Sequence, residues 1–317
     1  MQTVELGRTG LEVSVASLGA GGKSRLGQAQ GASFDHSVGL VRQALDAGVT
    51  LLDTAQIYGT EEIVGAAVKG RRDSVVISTK VPPTVTMSSD TLIDAAEFTR
   101  RVEVSLTRLG TDRIDILHVH GVRPGHYEHS RDEFLPAIER LREQGKVRFS
   151  GLTEHFNADA GHATLRRALA EAYFDVAMIG YNFVNQTAAR DLLPLASKNG
   201  IGTLCMFAVR GPLARLETAN ALVAKLVGTG EVDPAVIDAA NPLGFLVEPG
   251  VAAKVGEAAY RFCRHTPGID VVITGTGSEK HLAENLAAIA GPPLPPSALE
   301  RLGAIFGRVT RETAEPD

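Results

Sequence analysis

Eight short, apolar, β-branched runs alternate along this chain with eight longer stretches whose apolar residues recur at helical spacing. The predicted strands are Val15–Gly19, Thr50–Asp53, Val75–Lys80, Ile114–His120, Val147–Leu152, Val176–Ile179, Gly202–Phe207 and Val271–Thr274. The predicted helices are Phe34–Ala47, Thr60–Lys69, Leu92–Leu109, Arg131–Gln144, Ala158–Ala170, Thr187–Lys198, Ala252–His265 and Glu279–Ala290. A helix between two strands of one sheet carries the chain back, so the strands run parallel. Eight such units favour closure into a barrel over an open sheet, which places the chain in the α/β class as a (β/α)8 TIM barrel. Gly48, Gly110, Gly145 and Gly200 each follow a helical pattern, where a left-handed cap suits glycine.

The flanking segments fit the same plan. Thr3–Ser14 alternates around Gly7–Gly10 and reads as an N-terminal β-hairpin; Ser297–Arg311 reads as a C-terminal helix. Val209–Gly250 is the longest irregular stretch, with a short helix expected around Ala219–Leu226. No linker or low-complexity segment interrupts the pattern, so residues 1–317 are expected to form a single barrel domain.

Charge and cysteine content narrow the function. The formal net charge is -5, from 32 Lys+Arg against 37 Asp+Glu, which provides no basic field for nucleic acid. No apolar stretch approaches the ~20 residues that span a bilayer, and MQTVELGRTG lacks a signal-peptide pattern. The two cysteines, Cys205 and Cys263, suit a reducing cytoplasm better than a disulfide framework. The expectation is a cytoplasmic monomer or weak oligomer acting on a small molecule.

In a parallel barrel, functional groups gather at the C-terminal ends of the strands. The second predicted strand ends in Asp53, with Tyr58 close behind in DTAQIYG; the third ends in Lys80; the fourth, DILHVHG, carries His118 and His120. An ammonium beside a phenol lowers the phenol's pKa from its usual value near 10, and a carboxylate keeps the ammonium charged. A histidine can orient a carbonyl oxygen. Such a set protonates a carbonyl oxygen while hydride reaches its carbon, or runs the reverse.

From LGRTGLEVS and SLGAGG through DTAQIYG, STKV, DILHVHG and GLTEHFN to ITGTGSEKHLAENL, the chain resembles the aldo-keto reductases over nearly its whole length. The resemblance implies a (β/α)8 barrel and a catalytic tetrad of Asp53, Tyr58, Lys80 and His120, with His120 five residues after Asp115. It also implies a nicotinamide cofactor across the barrel mouth, NADP(H) by family habit with NAD(H) as the other option. By motif, the expected cofactor contacts begin with Gly22 and Asp53, then Thr153, His155 and Met178 at the carboxamide, with Met206 stacked on the nicotinamide. Phe207, Val209, Arg210 and Gly211 would pass the pyrophosphate. Gly275, Thr276, Gly277, Ser278 and His281 would take the adenosine phosphate, and Glu284 and Asn285 the adenine. Glu154 lengthens the carboxamide turn relative to the family, and His281 stands where many members have arginine.

Other readings of the same residues exist. The His118/His120 pair, with His126 and His129 in the next loop, could belong to a zinc-dependent barrel hydrolase, since neutral imidazoles ligate zinc. Lys80 would repel that cation. A non-catalytic, nicotinamide-binding regulatory protein is the other alternative, because the family resemblance extends to potassium-channel β subunits; the intact tetrad argues against it. The loops Lys23–Gly31, Gly121–Ser130 and Val209–Gly250, with the C-terminal segment, are expected to wall the substrate site. They are rich in Gly, His and Arg, which hints at a sugar or small hydroxy-aldehyde.

Overall fold

The structure, a computed structural model, describes residues 1–315; residues 316 and 317 of the expected domain lie outside the described residues. The chain opens with an antiparallel hairpin of β1 (Thr3–Glu5) and β2 (Glu12–Ser14), with Val4 opposite Val13. Eight parallel strands follow: β3 (Ala16–Gly19), β4 (Leu51–Asp53), β5 (Val76–Val81), β6 (Ile114–Val122), β7 (Val147–Glu154), β8 (Val176–Gly180), β9 (Gly202–Met206) and β10 (Val271–Thr274). They pair in chain order, and β10 pairs with both β9 and β3, so the sheet closes into a barrel and leaves no edge.

Two cores result, because alternate strand residues face opposite sides of the sheet. Outward residues meet the helices in one large apolar cluster. Inward residues Leu51, Val76, Ile116, Val176, Leu204 and Val271 form a second, and Leu6, Leu11 and Val13 of the hairpin pack onto it. The hairpin therefore stoppers one end of the barrel, and the functional groups gather at the other.

The helical elements follow the predicted spans with local corrections at their starts. The third begins at Ala95, not Leu92, because the Asp94 carboxylate accepts the Glu97 N–H at 2.8 Å. The fifth begins at Ala163, not Ala158, because Asp159 takes the N–H groups of Ala163 and Thr164 at 2.8 Å each. The fourth runs Leu135–Glu143, entered through a wider π turn at Ser130–Phe134. Within 209–250, a helix spans Leu216–Gly228, longer than the expected Ala219–Leu226. The last helix is Pro296–Phe306, ending five residues short of the expected Arg311, with Gly307 at its C-cap. Gly48, Gly110, Gly145 and Gly200 all have positive φ, as their cap positions require. Among the described residues no helix is long and apolar enough to cross a membrane.

Candidate active site

Asp53, Lys80 and His120 arrive on neighbouring strand ends, and Tyr58 on the short turn after β4. The inward positions of β5 and β6 bring Lys80 beside His118, opposite each other in the ladder. Lys80 is almost fully buried; its Nζ donates to Asp53 Oδ1 at 2.7 Å, to Asp53 Oδ2 at 2.6 Å and to the Thr54 carbonyl at 2.7 Å. Ser78 donates to the same carboxylate at 2.9 Å. Nζ lies 5.1 Å from the centre of the Tyr58 ring. On the other side, the Tyr58 hydroxyl is 3.4 Å from His120 Nε2, with the two rings edge-to-face at 5.6 Å. A Cβ on Gly21 would come within 2.5 Å of the Tyr58 ring, so glycine there lets the phenol occupy its place.

The electrostatics correct one expectation. Tyr58 titrates above its usual value, not below: burial of the hydroxyl is the largest influence, Lys80 pulls down against it and Asp53 pushes up. Burial also works against the Lys80 charge, yet Asp53 and Tyr58 outweigh it and hold the ammonium above its usual pKa. His118 and His120 are held well below the usual imidazole range, first by burial and then by the Lys80 charge. At neutral pH Asp53 is therefore accompanied by an ammonium, a neutral phenol and two neutral imidazoles.

His118 sits beneath this group in the barrel interior. Gly151 across the ladder makes its room, since a Cβ there would fall 2.2 Å from His118 Nδ1. The loop histidines turn elsewhere: His129 Nε2 meets the Ile93 carbonyl at 2.7 Å and His126 lies 3.9 Å from Asp90. Among the described residues no group of three or more His, Cys, Asp or Glu could hold a metal ion, so the hydrolase arrangement does not assemble.

A cleft of about 1300 Å³ runs from Tyr58 and Asp53 across the strand ends. Of the expected cofactor contacts, Gly22, Met178, Met206, Phe207, Val209, Arg210 and Gly211 line it. At its far end it is lined by Gly275, Thr276, His281, Glu284 and Asn285. Phe207 has φ +67, an uncommon backbone state for a bulky residue. The Arg210 guanidinium lies 3.9 Å from the centre of its ring, and the Phe156 ring stacks on it at 6.1 Å.

Four expected contacts do not line the cleft. Gly277 is covered by the loop after β3, where a Cβ would lie 2.5 Å from Gly27, and Ser278 caps helix Glu279–Ala290. Thr153 Oγ1 accepts the Gly121 N–H at 2.7 Å. His155 lies beside Gly121, on the flank where Met87 also packs. Glu154 faces away from the barrel interior. Its carboxylate meets His162 Nδ1 at 2.8 Å and takes the Gly180 N–H at 2.8 Å.

Lys23 and Arg215, from two of the loops expected to wall the site, line the cleft, and the structure adds Lys254, which sequence reasoning missed. No spacing marks Lys254, because it comes from the lead into helix Val255–Arg264, not from a strand end. Lys254 Nζ lies 2.8 Å from Glu284 Oε2 and holds that carboxyl below its usual pKa. With Arg210, these cations line a long cleft whose strand-end glycines Gly21, Gly22 and Gly275 leave backbone close to any occupant. That donor set suits an elongated anion such as a dinucleotide.

The Aldo/keto reductase family model matches residues 17–305. The chain is 30% identical to aldo-keto reductase YhdN of Bacillus subtilis, over 92% of this chain and 89% of that protein. It is 28% identical to L-galactose dehydrogenase of Arabidopsis thaliana, over 90% of this chain and 86% of that protein. Among solved structures, the holo form of an aldo-keto reductase from Bacillus halodurans has the same fold, with a TM-score of 0.72. That match covers 98% of this chain and 100% of the other at 22% identity. A thermostable aldo-keto reductase solved with the inhibitor epalrestat superposes with a TM-score of 0.71 at 26% identity, covering 95% of this chain and 98% of the other. The chain belongs to the aldo-keto reductase family and is an NAD(P)(H)-dependent oxidoreductase that interconverts carbonyls and alcohols.

Proposed function

We propose that this enzyme reduces small polar carbonyl compounds, sugars and hydroxy-aldehydes among them, with NADP(H), and that Tyr58 is its general acid and, in reverse, its general base. The observation that carries this is the convergence of Asp53, Lys80, Tyr58 and His120 within hydrogen-bonding or ring-contact distance at one barrel mouth.

The nicotinamide supplies or takes the hydride when bound. Everything else falls to the chain. Tyr58 keeps its proton at neutral pH because burial raises its pKa, so it enters reduction as a loaded acid. As the phenol gives that proton to the carbonyl oxygen, the charge left on it develops beside the Lys80 ammonium, which Asp53 holds in place. His120 is neutral and its Nδ1 has no hydrogen-bond partner, so Nε2 is the nitrogen presented to Tyr58 and to a substrate oxygen. It orients that oxygen so that proton and hydride arrive together.

Arg210, Lys23 and Arg215 would hold the cofactor's diphosphate, with Met178 and Met206 against its ring. Preference for NADP(H) rests on the far end of the cleft, where Lys254, Lys280 and His281 all act on the single carboxylate of Glu284. Lys254, Lys280 and His281 gathered at that end, beside Glu257 and Glu284, support a place for an extra phosphate. Support for a sugar comes from the polar loops and from the name of the Arabidopsis relative.

The test is titration of NADPH and NADH by reduced-nicotinamide fluorescence, then a panel of aldehydes, ketones and sugars followed by absorbance. Tyr58→Phe is expected to abolish turnover with cofactor affinity nearly unchanged. Full turnover in that variant would overturn the mechanism, and tighter NADH binding would overturn the cofactor assignment.

A further inference from the structure

We infer that Thr153 is a positioning residue for His120: its hydroxyl holds a bulge in β6 that aims the imidazole at Tyr58. This deepens the reading of Tyr58 and His120 above and rests on it.

The ladder between β6 and β7 is regular up to Val119, which pairs with Leu152; the next pair is Val122 with Glu154. His120 and Gly121 therefore face Thr153 alone, two residues against one. Such a bulge leaves backbone groups outside the ladder and redirects the neighbouring side chain. Here the displaced N–H of Gly121 is taken by Thr153 Oγ1 at 2.7 Å. The contact is sealed: Thr153 is 2% exposed and His120 8%. Water has little access to replace a lost acceptor.

The bulge also needs Gly121. Its φ is +64, and a Cβ would sit 2.6 Å from the Met87 Cε. The strand end is thus fixed from one side by a side-chain hydroxyl and from the other by packing.

His120 depends on this support because little else holds it. Its Nδ1 has no hydrogen-bond partner, so no tether sets the ring from behind. Its one polar contact, Nε2 to the Tyr58 hydroxyl, is 3.4 Å, long enough that a small further shift would break it. The aim of the ring is therefore inherited from the backbone at 120–121, and Thr153 sets that backbone. This role uses Thr153 Oγ1 as the acceptor of the Gly121 N–H and is separate from the carboxamide contact that the family pattern implies.

The decisive comparison is Thr153→Val, which keeps the volume and removes the acceptor, against Thr153→Ser, which keeps the acceptor. Thr153→Val is expected to lower kcat about 10- to 100-fold while the dissociation constant for NADPH, read by fluorescence, stays within about twofold. Thr153→Ser should restore kcat to within about threefold of the parent. An unchanged kcat in Thr153→Val overturns the inference. So does a rise in the dissociation constant as large as the fall in kcat, which would make Thr153 a cofactor ligand.

Hydrogen exchange on the unaltered protein judges the same point should Thr153→Val not fold. The Gly121 amide is expected to be protected like the flanking ladder, and exchange at the rate of an open loop overturns the bulge contact. Tyr58→Phe is run alongside. Turnover surviving there overturns the proton-transfer reading, whereas a dead Tyr58→Phe with an undiminished Thr153→Val overturns the positioning role alone.

Discussion

The Lys80 ammonium lies within 2.7 Å of both carboxylate oxygens of Asp53, and both side chains are buried at the mouth of the barrel. A buried pair of this kind contributes little net stability as a pair, yet removing one partner strands the other charge in a poor solvent for it. Lys80 also faces Tyr58, so the same ammonium serves the fold and the chemistry.

Lys80→Met is therefore expected to cost about 3–5 kcal/mol, read from denaturant midpoints, by leaving Asp53 uncompensated. Turnover should fall by about 10²–10⁴. Lys80→Met combined with Asp53→Leu should recover most of the stability and none of the activity. A stable, active Lys80→Met would contradict both roles.

The titration shifts set a pH window for stability. Lys80 and Tyr58 bind their protons more tightly in the folded chain than at their ordinary values of 10.5 and 10.0. Their contribution is thus fully present below those values and is lost as pH rises through the higher folded ones. His118 and His120 are displaced downward, so the unfolded chain binds the extra protons. Stability should fall once pH drops below about 6.5. Thermal midpoints from pH 5 to 11 should trace a plateau with both shoulders, and His118→Leu should soften the acid one.

Activity should show a different dependence in each direction. Reduction needs the Tyr58 proton and should hold through neutral pH. Oxidation needs the phenolate and should rise with pH up to the limit set by alkaline unfolding, because the phenol's pKa is above 10.0. Initial rates with saturating cofactor in both directions check this; an oxidation rate already level at pH 7 would contradict the raised phenol.

At the adenosine end, Lys254→Ala should weaken NADPH binding about fivefold, near 1 kcal/mol, and leave NADH binding almost unchanged. The modest size follows from the exposure of the Lys254 side chain, 62%. Fluorescence titration of both cofactors on both proteins measures the ratio. Equal weakening would move Lys254 to a general rather than a phosphate-specific role.

Gly151→Ala tests the barrel interior, because its new methyl would fall 2.2 Å from His118 Nδ1. It should destabilise by about 1–3 kcal/mol. Gly39→Ala is the matched control: it lies in helix Phe34–Asp46 with open space around the added carbon, and should stabilise by about 0.5–1 kcal/mol. Chemical denaturation of both variants gives the contrast.

Much of the fold and the strand-end part of the site were legible because they follow local rules. Period-two and period-3.6 patterns marked each strand and helix, and the barrel places strand ends together, so Asp53, Lys80 and His120 could be gathered without coordinates. Helix starts moved where Asp94 and Asp159 cap their turns, a choice that several nearby polar residues could have made. Lys254 escaped notice because loop packing, not periodicity, brings it to the cleft.

The order of elements, the hairpin and the chemical types at the strand ends are properties of the chain alone, set by side-chain period and by residues suited to caps and turns. The direction of the Tyr58 shift is not. The Lys80 ammonium argued for a more acidic phenol, and burial, a sum over distant segments, together with the Asp53 charge turned the balance upward. The bulge at His120 belongs to the same category. One residue of slippage between β6 and β7 depends on how two strands meet, and nothing within DILHVHG announces that Thr153 will receive the Gly121 N–H.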